Sequence, residues 1–102
     1  MYLTVRRYEK IDNPKEVERR VKAGFVPLIS KIPGFVAYNL VNAGNGVMLS
    51  TSIFQDKAGA DESTKRSHEW VKKDLADLKL SPPQVTAGEI LILTYADLSS
   101  SR

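Results

Sequence analysis

Along this chain the hydropathy pattern switches between the two-residue repeat of a strand and the three-and-four repeat of a helix, and the order of those switches constrains the fold most. Tyr2 to Glu9 sets Leu3 and Val5 against Tyr2, Thr4, Arg6 and Tyr8, which predicts a first strand. Asn13, Pro14 and Glu16 then mark a helix start: a side-chain cap, a ring whose fixed φ suits the first turn, and a carboxylate three residues past the cap. Val17, Val21, Phe25, Leu28, Ile29 and Ile32 follow at helical spacing, so an amphipathic helix is expected as far as Ile32. Pro27 has no N–H to offer the carbonyl of Ala23, which predicts a kink or local unwinding.

Pro33-Gly34 closes that helix, and Phe35 to Val41 reads as a second strand. The run Asn42-Ala43-Gly44-Asn45-Gly46 supplies the positive-φ residues of a hairpin turn, with Val47 to Gln55 as the antiparallel return strand. Its glycines are followed by a strand and not by a helix N-terminus, so they do not form a phosphate loop. Asp56 caps a second helix expected to run to about Leu78, with Thr64, His68, Val71, Leu75 and Leu78 as its inward stripe. Pro82-Pro83 forces an extended connection, and Gln84 to Tyr95 is expected as the last strand, centred on Ile90 to Leu93.

The order strand, helix, strand, strand, helix, strand is that of an α+β, ferredoxin-like βαββαβ fold: a four-stranded antiparallel sheet with both helices on one face. One domain over residues 1–96 is expected, with 97–102 as a flexible C-terminal tail. The aliphatic run Ile90 to Leu93 points to both sides of the sheet, whereas two helices cover only one side. Tyr2, Thr4, Arg6 and Tyr8 are the first strand's candidates for the uncovered side. A second copy of the chain packed sheet against sheet would cover it, which predicts a homodimer with a pocket beneath the cover.

Several chemistries are excluded outright. The chain has no cysteine, so disulfides, thiolate metal sites and a cysteine nucleophile are absent, and one histidine, His68, cannot build a multi-histidine metal site. The longest aliphatic run is far shorter than a membrane span, and Met1 to Arg7 lacks the apolar stretch of a signal peptide, so a cytoplasmic protein without membrane contact is expected. The net charge of +3 is spread over mixed-sign helix surfaces and does not indicate nucleic acid. RNA-recognition domains share the element order, but their third strand carries stacking aromatics, and here Val47 to Phe54 has one aromatic at its far end.

Val5-Arg6-Arg7-Tyr8-Glu9, Ile32-Pro33-Gly34-Phe35-Val36-Ala37-Tyr38 and Ser52-Ile53-Phe54-Gln55-Asp56 before a helix together resemble the antibiotic biosynthesis monooxygenase-like proteins of the dimeric α+β barrel superfamily. Glu62-Ser63, Trp70-Val71, Pro82-Pro83 and Gly88-Glu89 resemble a branch of small bacterial proteins with no settled activity. The resemblance implies a dimeric barrel that binds a small molecule, either a cofactor-independent monooxygenase for an aromatic or quinol-like substrate or a non-catalytic binding module. The superfamily's haem-degrading pattern is not met. It implies an asparagine where this chain, aligned through Glu9, has Arg6, and only Lys72 and Lys73 stand near the position of the haem-ligating histidine.

A cofactor-free oxygenase needs a pocket that holds an aromatic ring, favours its anion and excludes water. Arg6 offers a permanent charge and a fork of donors for a phenolate or enolate, Tyr8 and Tyr38 offer stacking faces and hydroxyls, and Asn39 an amide to orient a carbonyl. Tyr38 and Asn39 point to opposite faces, so at most one lines the pocket. Structurally, Arg6 would pair with a carboxylate such as Glu89 and the tyrosines would simply pack. His68 falls on the helical stripe, on the side away from this pocket, and Trp70 beside it reads as a packing anchor. Asp74, Asp77 and the basic group Lys65, Arg66, Lys72 and Lys73 read as solvated surface.

Overall fold

The computed structural model describes residues 1–96; the tail expected at 97–102 lies outside the described residues. Four strands form one antiparallel sheet in the order β2-β3-β1-β4, where β1 is Tyr2–Tyr8, β2 Phe35–Gly44, β3 Val47–Phe54 and β4 Gln84–Glu89. With helices between β1 and β2 and between β3 and β4, this is the expected ferredoxin-like α+β fold. The turn joining β2 to β3 is shorter than the sequence suggests. Only Asn45 and Gly46 stand outside the strands, with φ of 53° and 78°, the pair of positive values a type I′ hairpin requires.

The first helical segment begins as expected: the Asn13 side chain accepts the Glu16 N–H at 3.2 Å, and Pro14 opens α1 (Pro14–Arg20). Unwinding occurs just before Pro27. A π-helical turn, Val21–Phe25, links α1 to α2 (Val26–Ile29), and the Val26 N–H reaches back to the Val21 carbonyl. The wider turn absorbs the hydrogen bond that Pro27 cannot make. Ile32 lies beyond the helix in a turn but is buried in the core.

Asp56 caps α3 (Lys57–Asp74) by accepting the Gly59 N–H at 2.9 Å, and a 3₁₀ turn, Ala76–Leu78, replaces the expected last helical turn. The buried positions of α3 are Gly59, Ala60, Ser63, Ser67 and Trp70; of the expected stripe, Leu75 is buried, Thr64, Val71 and Leu78 are partly buried, and His68 is exposed. The helix is therefore rotated by about one residue from the hydropathy reading, because small side chains let it approach the sheet closely. No helix among the described residues is long and apolar enough to cross a membrane.

Two sequence expectations about the sheet need correction. First, Thr4, Arg6 and Tyr8 face the helices and are buried, whereas Leu3, Val5 and Arg7 lie half-buried on the open face beside Leu49, Thr51 and Ile53. Alternation separates the two faces of a strand without saying which is covered, and the buried guanidinium is tolerated because hydroxyls surround it. Second, the last strand ends at Glu89, leaving Leu91 at 86% and Ile92 at 88% exposure. The register pairs Glu89 with Tyr2, the first residue of β1, so only the Met1 carbonyl remains to receive the Ile90 N–H, at 2.8 Å. The described ladder ends there, before the aliphatic run begins.

Candidate functional site

Arg6 is 1% exposed, at the centre of β1, between Ser50 of β3 and Val85 of β4. Its Nη1 donates to Ser52 Oγ at 3.3 Å, and Nη2 donates to Ser63 Oγ at 3.2 Å and Thr64 Oγ1 at 3.0 Å. Its Nε is buried without a partner. Among the described residues no carboxylate lies within ion-pair distance of Arg6. Glu89, the partner the sequence offers, faces Tyr2 at the far end of β4. Burial lowers the guanidinium's pKa from its usual value, and the neighbouring Tyr8 and Tyr38 act the other way. A cation held only by neutral hydroxyls and lacking a counter-charge is an arrangement that attracts an anion.

Tyr8 and Tyr38 lie on the same face as Arg6, so the structure gathers all three sequence candidates, but under the helices and not on the open side. Phe25 packs edge-on to Tyr38, with ring centres 5.5 Å apart, and its centre is 5.4 Å from that of Trp70. Burial pushes the Tyr38 phenol up to about 12, against the opposing effects of Ser50 and Arg6. Burial raises Tyr8 as well, with Ser67 and Arg6 acting the other way. Both phenols are therefore protonated hydrogen-bond donors at neutral pH.

Tyr8, Tyr38, Ser50, Ser67 and Trp70 line an apolar cavity of about 30 Å³ between the sheet and the helices, room for little more than one water molecule. Beside it lies a larger groove of about 380 Å³ between α3 and β4, with Arg6, Tyr8 and Ser67 on one side and Pro82, Pro83 and Val85 on the other. It continues along α3 into a further space of about 320 Å³ lined by Leu75, Lys79 and Leu80. His68 borders both stretches. The sequence reading places His68 away from a pocket on the open face; because the groove lies on the helix side of the sheet, His68, exposed on α3, stands at its lip.

Asn39 lies on the open face, where its amide donates to Thr51 at 3.2 Å, so Tyr38 is the member of that pair that lines the pocket. Trp70 is a buried wall, as expected, and Asp77 is engaged by Arg20 at 2.6 and 2.9 Å. Sequence reasoning missed the hydroxyls Ser50, Ser52, Ser63, Thr64 and Ser67. The available signal was the alternation of Ser50 and Ser52 with Met48 and Phe54, which gives them the parity of a buried face. Among the described residues no group of three or more histidine and carboxylate side chains could hold a metal ion.

No protein-family model matches the chain, and no curated protein matches it in sequence. Solved structures do match it. NE2512, a protein of unknown function from Nitrosomonas europaea, superposes with a TM-score of 0.73 at 19% identity, over 93% of each chain. SnoaB, a cofactor-independent oxygenase from Streptomyces nogalater, gives 0.69 at 17% identity over 90% of this chain and 94% of its own. The ActVA-Orf6 monooxygenase of Streptomyces coelicolor, solved with nanaomycin D, gives 0.68 at 15% identity over 92% of each. At these identities the likeness is one of fold, and that fold is the ferredoxin-like α+β arrangement of the antibiotic biosynthesis monooxygenase-like proteins.

Proposed function

We propose that this chain forms a homodimer that binds a small aromatic molecule in the groove between α3 and β4, and that it acts as a cofactor-independent monooxygenase on a quinol-like substrate. The observation that carries this reading is the buried Arg6, supported by hydroxyls and with no carboxylate within ion-pair distance among the described residues. Direct reaction of a quinol with dioxygen proceeds from its anion, and a fixed positive charge in a poorly hydrated site favours that anion over the neutral phenol. Tyr8 offers a neutral donor and a ring face beside the charge. Two solved structures of this fold belong to a cofactor-independent oxygenase and a monooxygenase, which supports the same kind of chemistry.

The dimer reading rests on the open face, where Leu3, Val5, Leu49 and Ile53 stand half-buried on the side of the sheet away from the helices of the described residues. One observation favours a non-catalytic binder instead: the groove is open along α3, and the cavity beside it is too small to take an aromatic substrate in away from water. Oxygen uptake across a panel of quinols and polyphenols, without added metal or flavin, separates the two. Consumption of oxygen that is lost in Arg6→Met supports the oxygenase. Thermal stabilisation by the same compounds with no oxygen consumed supports the binder.

A further inference from the structure

We propose that the ligand of this groove is an anionic, planar aromatic compound whose carboxylate, or equivalent oxyanion, is received by Arg6, and that the basic rim selects it before it enters. The inference deepens the reading above, since it rests on the groove being the ligand site. Neither stretch of the groove has a single acidic side chain among its lining residues, while Arg6, Lys65, His68, Lys72 and Lys79 all border it. Among the described residues Lys65, Lys72 and Lys79 make no ion pair, although the acidic Asp61 and Glu62 of the same helix are taken up by Lys57 and Arg66.

Between the charged ends the lining is apolar, provided by Val71, Leu75, Leu80, Pro82, Pro83 and Val85. A flat hydrocarbon body matches that lining, and a charged end matches Arg6, which borders the groove and has no carboxylate partner among the described residues. A neutral ligand would leave the cation as uncompensated as it is now. The lysines, exposed to solvent, add long-range attraction that salt screens, whereas the contact with Arg6 is shielded from salt by burial.

Calorimetric titration of the intact protein with benzoate, 2-naphthoate and anthracene-2-carboxylate, each against its primary amide of the same shape, tests this. At least one carboxylate is expected to bind tighter than its amide by a factor of about ten or more. The preference is expected to vanish in Arg6→Gln, and carboxylate binding in Lys72→Ala/Lys79→Ala should lose part of its salt dependence. Equal affinity for acid and amide, failure of every carboxylate to bind, or a preference that survives Arg6→Gln would overturn the proposal. If Arg6→Gln does not fold, the acid and amide pairs on the unsubstituted protein decide. Tight carboxylate binding with no oxygen consumed across the quinol and polyphenol panel would remove the oxygenase reading and leave this one standing, and turnover of neutral quinols with no preference for acids would do the reverse.

Discussion

Gly59→Ala should destabilise this protein even though alanine is the better helix former. Gly59 sits in the first turn of α3, and a Cβ there would lie 2.7 Å from Phe54 Cδ2 and 3.0 Å from the Pro33 carbonyl oxygen. Phe54 is fully buried and packed edge-on against Phe35, so it has nowhere to go. Reaching an ordinary 3.4 Å contact requires about 0.7 Å of movement, which the helix must supply by rising off the sheet. Overpacking of this kind costs about 1–3 kcal/mol, against a helix-propensity gain of at most about 1 kcal/mol. The balance is a loss of roughly 1–2 kcal/mol, or about 4–16 °C in Tm for a chain of this size. The same rise would carry Ser63 and Thr64 away from Arg6, whose bonds to them, at 3.2 and 3.0 Å, have little length to spare. Thermal unfolding followed by circular dichroism measures the first effect and 2-naphthoate titration the second. A Tm equal to or above that of the unsubstituted protein would show that α3 is not seated against Phe54 as described.

Two further outcomes follow from other parts of the molecule. Val5→Glu places a carboxylate in the middle of the open sheet face, so the proposed dimer should shift to monomer in sedimentation equilibrium while the far-ultraviolet spectrum is kept; a dimer that survives the substitution would locate the contact elsewhere. Hydrogen bonds from Arg19 and then Arg20 hold the Glu16 carboxyl down at about 2, so its stabilising contribution is complete above the ordinary carboxylate range and fades as pH falls through that range toward 2. In Arg20→Ala, which also cuts the tie to Asp77, Tm should fall less steeply between about pH 5 and 2, and the difference should shrink in 1 M salt; an unchanged acid slope would show that the network contributes nothing.

The element order was legible because its signals are local. Asn13 and Asp56 cap the helices from the positions their side chains suggest, Asn45-Gly46 makes the hairpin, and Pro27 disrupts its helix. What the sequence did not show depends on relations between distant segments. β4 ends opposite Tyr2 of β1, a matter of register that no property of Ile90 to Leu93 records. The assignment of faces went wrong because Leu3 and Val5 leave the inward side to a charged residue, which hydropathy alone disfavours. Arg6, Tyr8 and Tyr38 could be picked out as a group from their chemistry. Their hydroxyl neighbours could not, because an isolated serine in a strand or helix has no distinguishing pattern until the opposing element is in place.

Those serines link the fold to the site. A carboxylate at Ser63 or Thr64 would pair with Arg6 and make a self-sufficient buried ion pair, closing the guanidinium to any ligand. Hydroxyls instead hold Nη1 and Nη2 in place while leaving the charge uncompensated and Nε unpaired. Their small size also shapes the groove. Along the inward side of α3 the residues grow from Gly59 and Ala60 through Ser63 and Ser67 to Trp70, so close contact with the sheet is allowed at one end and a bulky ring is interposed at the other. The internal cavity accordingly draws its α3 lining from Ser67 onward and takes none from the Gly59 end. The same run of small residues that brings Ser63 and Thr64 within reach of Arg6 thus gives way to Trp70 where space is needed, and the charge comes to lie beside the opening.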